Sequence, residues 1–384
     1  MSCTSLTVAT SALVGLALAS NKSLASLPFT MQVLATMLTS IPAAMLMAQI
    51  GRKHSFLLAT LIAVSGGIIC TLGIIYQQFY LFVLGSIFIG SFAGFANYYR
   101  FAAADTASED YKSRAISYVL AGGVLAAIVG PNLANHTREL ISSASFAGSY
   151  ASLIGLNILA FILLSFLHLP HDKHQVTGSF SSGRALSKIL LQPRFIIAII
   201  CGMLGYAIMA LIMTATPLAM KHHHYPFSET AFVIQWHVLG MFAPSFFTGY
   251  LIQRFGLFII LLSGTLLGLA CVFINFLGTS ATHFWIALLL LGISWNFLFI
   301  GGTTLLTETY HEQEKFKAQA INDFLVFSVV AAASLSAGFL HNHFGWQMVN
   351  YASIPAFGVI LLALLWLYLL DKNKHIRIKE DIQA

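Results

Sequence analysis

Arg100 stands inside a run of mostly apolar residues extending from Phe79 to Ala104. A guanidinium in hydrocarbon is costly unless it faces protein or a wet cavity. If the run is one helix ending at Asp105, Arg100 lies about five residues inside that end, roughly 7 Å deep. Ser86, Gly90, Gly94 and Asn97 then form a small, polar face with Arg100 near its edge, and small residues let helices approach closely. Arg100 can contact an anionic ligand, pair with Asp105, or snorkel to the interface; Asn97 is the adjacent candidate contact.

His237 is the second group with chemistry available to it. It is flanked by Gln235 and Trp236 deep in another apolar run, and an imidazole titrates close to working pH. It can relay protons or serve as a neutral hydrogen-bonding residue in a packed bundle. Glu308 and Asp323 are further candidates for proton uptake and release. Trp295 and Asn296 sit mid-run beside Gly292 and Thr303; the indole offers either a surface for a ligand ring or ordinary core packing. Gln32, Thr36, Thr214, Thr216, Asn132 and Asn135 are weaker candidates. The triplet His222–His224 can hold a transition metal only loosely, since no cysteine or carboxylate cluster completes a site. Cys3, Cys70, Cys201 and Cys271 lack metal-ligand or redox spacing and read as core residues. No metal or other cofactor is expected.

The elements that must position these residues follow from composition. Of 384 residues, 58% are apolar and 8% charged, and the mean hydropathy is +0.83. A soluble chain spends about a quarter of its residues on charge, so lipid must cover this surface. Apolar windows of membrane length recur near 4–20, 27–50, 54–76, 79–105, 114–136, 148–169, 194–219, 228–252, 257–278, 283–308, 316–341 and 347–370. They predict an all-α integral membrane fold of twelve helices with short antiparallel connections. Ala17-Leu18-Ala19 can be mistaken for a cleavage site, but no positive segment precedes it. Met1–Ser20 therefore reads as the first span, short enough that the start can lie inside a longer helix.

The polar stretch 170–192 divides the chain into a six-helix bundle over 1–169 and another over 193–370, leaving a basic tail over 371–384. Alternate loops place Lys22, Arg138 and Lys221 on one side and fifteen of the nineteen Lys and Arg residues on the other, with Arg100 inside a span. The asymmetry predicts cytoplasmic termini and a cytoplasmic central loop. The net charge of +6 belongs to that rim facing anionic lipid and needs no nucleic-acid partner.

An internal repeat ties the halves together. The 205 positions separating Gly51 from Gly256 also separate Leu46 from Leu251, Phe79 from Phe284, Leu84 from Leu289, Glu109 from Glu314, Lys112 from Lys317, Ala115 from Ala320 and Ile116 from Ile321. Parallel repeats place a pathway at their interface. The loop Ala44-Met45-Leu46-Met47-Ala48-Gln49-Ile50-Gly51-Arg52-Lys53 resembles the G-x-L-A-D-R-x-G-R-K loop of the major facilitator superfamily. Gly249-Tyr250-Leu251-Ile252-Gln253-Arg254-Phe255-Gly256 resembles it again in the second half. The motif's acidic position is Ala48 in one copy and Gln253 in the other. Ser86 stands where the family's fourth-helix arginine is expected, and Ala126-x-x-x-Gly130-Pro131 continues with Ala134 and Asn135 rather than glycines.

The resemblance implies a monomeric secondary transporter that moves a small solute across the inner membrane by alternating access, with protons as the expected coupling ion. It also implies a cytoplasmic gate built from Gly51, Arg52, Lys53, Asp105, Arg254 and Gly256, with Arg52 facing Asp105 and Arg254 facing Glu308. The same charges can instead snorkel among headgroups. No G-x-x-x-x-G-K-[ST] loop is present, so ATP does not drive the chain directly. Uncoupled uniport and a transporter-like sensor remain alternatives. An enzyme is not expected, because the 13 acidic residues fall mostly in loops without a nucleophile or metal signature.

Overall fold

Apolar runs in lipid must satisfy their backbone polar groups internally, and helices are the local solution. The computed structural model describes residues 1–99, 102, 112–167, 184–311 and 314–383, and among these it is helical without strands. The order is α1 (Ser2–Leu18), α2 (Leu27–Ile50), α3 (Arg52–Ile75), α4 (Phe79–Ala96), α5 (Lys112–Thr137), α6 (Ala147–Ser165), α7 (Pro193–His222), α8 (Phe227–Phe242), α9 (Ser245–Phe255), α10 (Leu257–Leu277) and α11 (Ala281–Thr307). The last helical stretch, Lys315–Gln383, breaks at Gly345 (φ 80°) into α12 (315–344) and α13 (346–383). Eight helices can cross a bilayer by length and apolarity, and α8 with α9, bent by 43°, makes a ninth such span. Adding α1 and α5, and separating α12 from α13, makes the expected count of twelve attainable among the described residues, apart from the short helix Leu186–Leu190.

The repeat is visible in backbone conformation. Gly51 (φ 81°, ψ 158°) and Gly256 (φ 86°, ψ 153°) each end one helix and begin the next. This region is open essentially to glycine alone. Both turns are closed alike, by Gly51 N–H to Met47 O at 3.0 Å and by Gly256 N–H to Ile252 O at 2.9 Å.

Small residues set the helix contacts, as expected where lipid removes the hydrophobic drive to associate. The small face of α4 packs on α2: a Cβ on Gly90 would lie 2.1 Å from Gln32 O, and Thr36 Oγ1 donates to Gly90 O at 3.0 Å. Regular α4 ends at Ala96, however, where Tyr98 N–H turns back to Phe95 O. The depth assigned to Arg100 from an unbroken helix therefore does not follow. Arg100, Asp105 and most of the central loop (168–183) lie outside the described residues.

The two ends of the bundle differ. At the end away from the termini the halves meet directly. Ser26 Oγ donates to Leu335 O at 3.1 Å and accepts from Gly338 N–H at 3.3 Å, and Asn342 Nδ2 donates to Ser23 Oγ at 3.3 Å. Phe146 meets Phe227 edge-on at 5.0 Å, with the Arg138 guanidinium over both rings. At the other end, rich in basic residues, ionic contacts among the described residues join the linker to the second half and parts of the second half to each other. Arg184 binds Glu314 through its backbone N–H (2.7 Å), Nε (2.9 Å) and Nη2 (2.7 Å), and Nη2 also donates to Thr309 O at 3.0 Å. Arg194 bridges Glu308 and Asp371.

Glu314 is 1% exposed, and the Arg184 hydrogen bonds hold its carboxyl well below the usual carboxylate range. A depressed carboxylate stabilises the fold above its unfolded pKa and loses that contribution as pH falls. Arg184→Ala and Glu314→Gln should each lower the melting temperature of the purified protein at pH 7. The gap to the unsubstituted protein should begin to narrow as the pH drops through the usual carboxylate range and close only well below it, where Glu314 itself takes up a proton. A gap that stays constant as the pH falls throughout that span would mean that the pair does not contribute in this way.

Candidate functional site

Midway along the bundle the second half presents aromatic rings to the first. Trp295 and Phe299 are one turn apart on α11 and stack with centroids 4.9 Å apart and planes 10° apart. Tyr206 of α7 meets both edge-on, at 5.3 and 5.6 Å, and lies 5.8 Å from Phe327 of α12. Phe242, the last residue of α8, closes another side 6.1 Å from Trp295. The first half abuts this group from two helices: a Cβ on Gly123 of α5 would sit 2.8 Å from the Phe242 ring, and Val33 of α2 packs with Tyr206, Val326 and Val330. Tyr206, Phe242, Phe299 and Phe327 remain half-buried, while Trp295 is 7% exposed. The Trp295 Nε1–H has no partner, and a donor buried without one carries a free-energy cost. Flat faces and a spare donor between the halves suit an aromatic ligand with an acceptor at its rim.

Asn296, the neighbour of Trp295, has a different role from the ligand contact its sequence position suggested. Its Nδ2 donates to Met241 O and to Ser245 Oγ, each at 2.6 Å, and its Oδ1 accepts from Thr248 Oγ1 at 2.6 Å. These partners flank the Ala243-Pro244 break between α8 and α9. Proline lacks an N–H and interrupts the ladder, and the Asn296 amide ties Met241 O on one side of the break to Ser245 and Thr248 on the other. Its capacity is used in holding the bend.

His237 lies fully buried in the contact between α8 and α11, where a Cβ on Gly292 would come within 2.4 Å of His237 O. Nδ1 is 2.8 Å from Leu288 O. A carbonyl only accepts, so Nδ1 carries a proton, and Nε2 has no partner among the described residues. Gln235 reaches the other half, accepting from Asn132 Nδ2 at 2.7 Å. It is thus a link between α5 and α8.

The charges expected at a gate are distributed otherwise. Lys53 Nζ donates to Ser165 O at 2.7 Å, capping α6 within its own half. Arg254 Nη1 donates to Tyr250 Oη at 3.1 Å, one turn earlier on α9, and its guanidinium lies 5.6 Å from the Phe255 ring. Glu308 caps α11 and pairs with Arg194. The Arg254–Glu308 contact implied by the resemblance is thus replaced, because Arg194, in the first turn of α7, lies between the ends of α11 and α13. Arg52 opens α3. Asp323 is exposed near the start of α12 and accepts from Asn322 Nδ2 at 3.1 Å. Asn97 is exposed just past α4.

The structure therefore brings Trp295 together with Tyr206, Phe242, Phe299 and Phe327, which reading the sequence did not single out. Tyr206 carried the available signal, as a polar-tipped ring within a long apolar run. Trp295 is not joined by Asn97, and Gln235 and His237 are engaged in helix contacts.

Comparison with known proteins places this geometry in a family. The sequence model of the Major Facilitator Superfamily matches residues 1–334 and again 245–383. The chain is 42% identical over 353 residues to the riboflavin transporter RfnT of Brucella anthropi, covering 92% of this chain and 89% of that protein. It is 29% identical to the uncharacterized MFS-type transporter YddS of Bacillus subtilis, over 70% of this chain and 65% of that one. Among solved structures, the xylose transporter XylE from E. coli, in a partially occluded inward open conformation, superposes with a TM-score of 0.68 at 13% identity. That match covers 96% of this chain and 93% of the other. With twelve helical segments in two halves, a doubled glycine turn and a family match spanning its length, this chain belongs to the major facilitator superfamily of membrane transporters.

Proposed function

We propose that this chain is a proton-coupled secondary carrier that moves riboflavin, or a close flat heteroaromatic analogue, across the inner membrane by alternating access. The observation carrying this reading is the 42% identity to a riboflavin transporter across 92% of the chain. The aromatic group between the halves supports it, because a fused heteroaromatic ring has matching faces and rim acceptors. The charge asymmetry supports cytoplasmic termini, which makes the end sealed by Ser23, Ser26 and Arg138 the outer one and the state inward-facing. The single chain contains both halves of the pathway, so a monomer suffices.

Coupling by protons is assigned to His237, Glu308 and Asp323. A second reading, uncoupled uniport, is favoured by one observation: among the described residues no carboxylate lies mid-span. Glu308 and Glu314 are both ion-paired near the basic end.

Cells unable to make riboflavin, expressing this chain, should grow on low external riboflavin and accumulate labelled riboflavin; no uptake would sink the substrate assignment. A protonophore should abolish accumulation above the external level. Equilibration unaffected by the protonophore, with no accumulation above the external level in its absence, would replace coupling by uniport, and intact accumulation in His237→Ala, Glu308→Gln and Asp323→Asn would remove coupling from these residues. Reporter fusions in the central loop and at the C-terminus should both read as cytoplasmic, and opposite sides would refute the topology.

The Pro244 bend is the natural hinge for opening, with Asn296 as its positioning residue. Asn296→Ala strips partners from Met241 O and Thr248 and should destabilise the protein by about 1–3 kcal/mol. Uptake should slow with little change in KM. A raised KM at unchanged maximal rate would instead make Asn296 a substrate contact.

A further inference from the structure

Three of the five tryptophans have a buried Nε1–H without a partner: Trp285, Trp295 and Trp346. Two of them have an ordinary explanation. Trp285 lies in the first turns of α11, among Phe232 and Trp236, and Trp346 opens α13 against Phe284. Both sit near helix ends, at the level where tryptophans commonly meet headgroups and water. Trp295 is different. It stands fourteen residues after the α11 start at Ala281, about 20 Å along the helix axis and far from the level where tryptophans meet headgroups. Its donor finds no acceptor among the described residues.

The surroundings of Trp295 are also those of a receptor for a ring. Trp295 and Phe299 stack on each other, so each covers one face of its neighbour and the pair presents its outer faces as a wall. Tyr206 stands edge-on to both rings, with Phe327 beyond Tyr206. Phe299, Tyr206 and Phe327 are incompletely buried although they lie inside the bundle, where Val33 of α2 packs in the same cluster as Tyr206. The wall is built of neutral side chains, so a ring needs no formal charge to stack on it.

Resting on the carrier reading above, we propose that Tyr206, Trp295, Phe299 and Phe327 form the ring-binding part of the substrate site. It takes a flat, uncharged, fused heteroaromatic ring, stacked on this wall, with a rim carbonyl or ring nitrogen accepting from Trp295 Nε1–H. The ring system rather than the polyol tail of a flavin is then the feature recognised here, and ring analogues without the tail bind the same residues.

The test uses full-length purified protein in detergent, with binding followed by quenching of flavin fluorescence. Riboflavin and lumiflavin (the ring without the ribityl chain) should both bind, and ribitol should not compete. Trp295→Phe keeps the stack and removes the donor, so it should weaken both ligands about 5-fold, the scale of one neutral hydrogen bond. Trp295→Leu and Phe299→Leu remove stacking and should weaken both about 30-fold, while Trp285→Phe should change nothing. Melting curves show whether each variant is folded; should Trp295→Leu fail to fold, Trp295→Phe and Tyr206→Leu carry the same comparison. Unchanged binding and uptake in all folded variants would overturn the site while leaving riboflavin transport standing. Absence of riboflavin uptake and binding in the unsubstituted protein would overturn the carrier reading. The ring site then survives only if lumiflavin still binds in a Trp295-dependent manner, and falls if it does not.

Discussion

The structure depends on one constraint: inside a bilayer each interruption of a helix must be repaid by a polar group of the protein itself. The bend between α8 and α9 shows how. Pro244 removes a backbone donor, and the Asn296 amide on the facing helix bonds Met241 O, Ser245 Oγ and Thr248 Oγ1. The break is thereby localised to one place and one geometry. The reversals at Gly51 and Gly256 sit at helix ends, where glycine alone is needed.

The same constraint orders the contacts between halves. Within a half, or between the linker and the second half, the contacts include strong ionic ones such as Arg184 with Glu314 and Arg194 with Glu308 and Asp371. Between halves they are mostly neutral: Ser26 with Leu335 and Gly338, Asn342 with Ser23, Asn132 with Gln235, and Phe146 with Phe227. A neutral hydrogen bond contributes about 1 kcal/mol net, so the sealed end is held by many small terms that can be exchanged for contacts at the other end.

Much of this was legible in the sequence. Apolar run lengths gave the helices, and the pairing of Gly51 with Gly256 gave the repeat, because a backbone that only glycine adopts leaves a mark in residue type. The small face Ser86-Gly90-Gly94 correctly announced a close contact. Partner choice was not legible. The family resemblance pointed Glu308 at Arg254, and only the fold brings Arg194 to both Glu308 and Asp371. Asn296 beside Trp295 looked like a binding residue because polarity inside a span marks either a ligand or a repaired backbone. The deciding feature, Pro244, is 52 positions away in sequence.

That distinction also explains why the aromatic group, rather than the buried polar residues, is the best marker of the site. A polar side chain in a span is under pressure to find a partner in the resting fold, and Asn296 and Gln235 have done so. Rings carry no such obligation: half-exposed faces in an apolar interior cost little while unfilled, and gain stacking when a flat ligand arrives. A carrier must release what it binds, and a site made mainly of faces, with one spare donor at Trp295, gives recognition without the deep well that several committed hydrogen bonds would create. The polar residues hold the helices in place, which leaves the rings available to the solute.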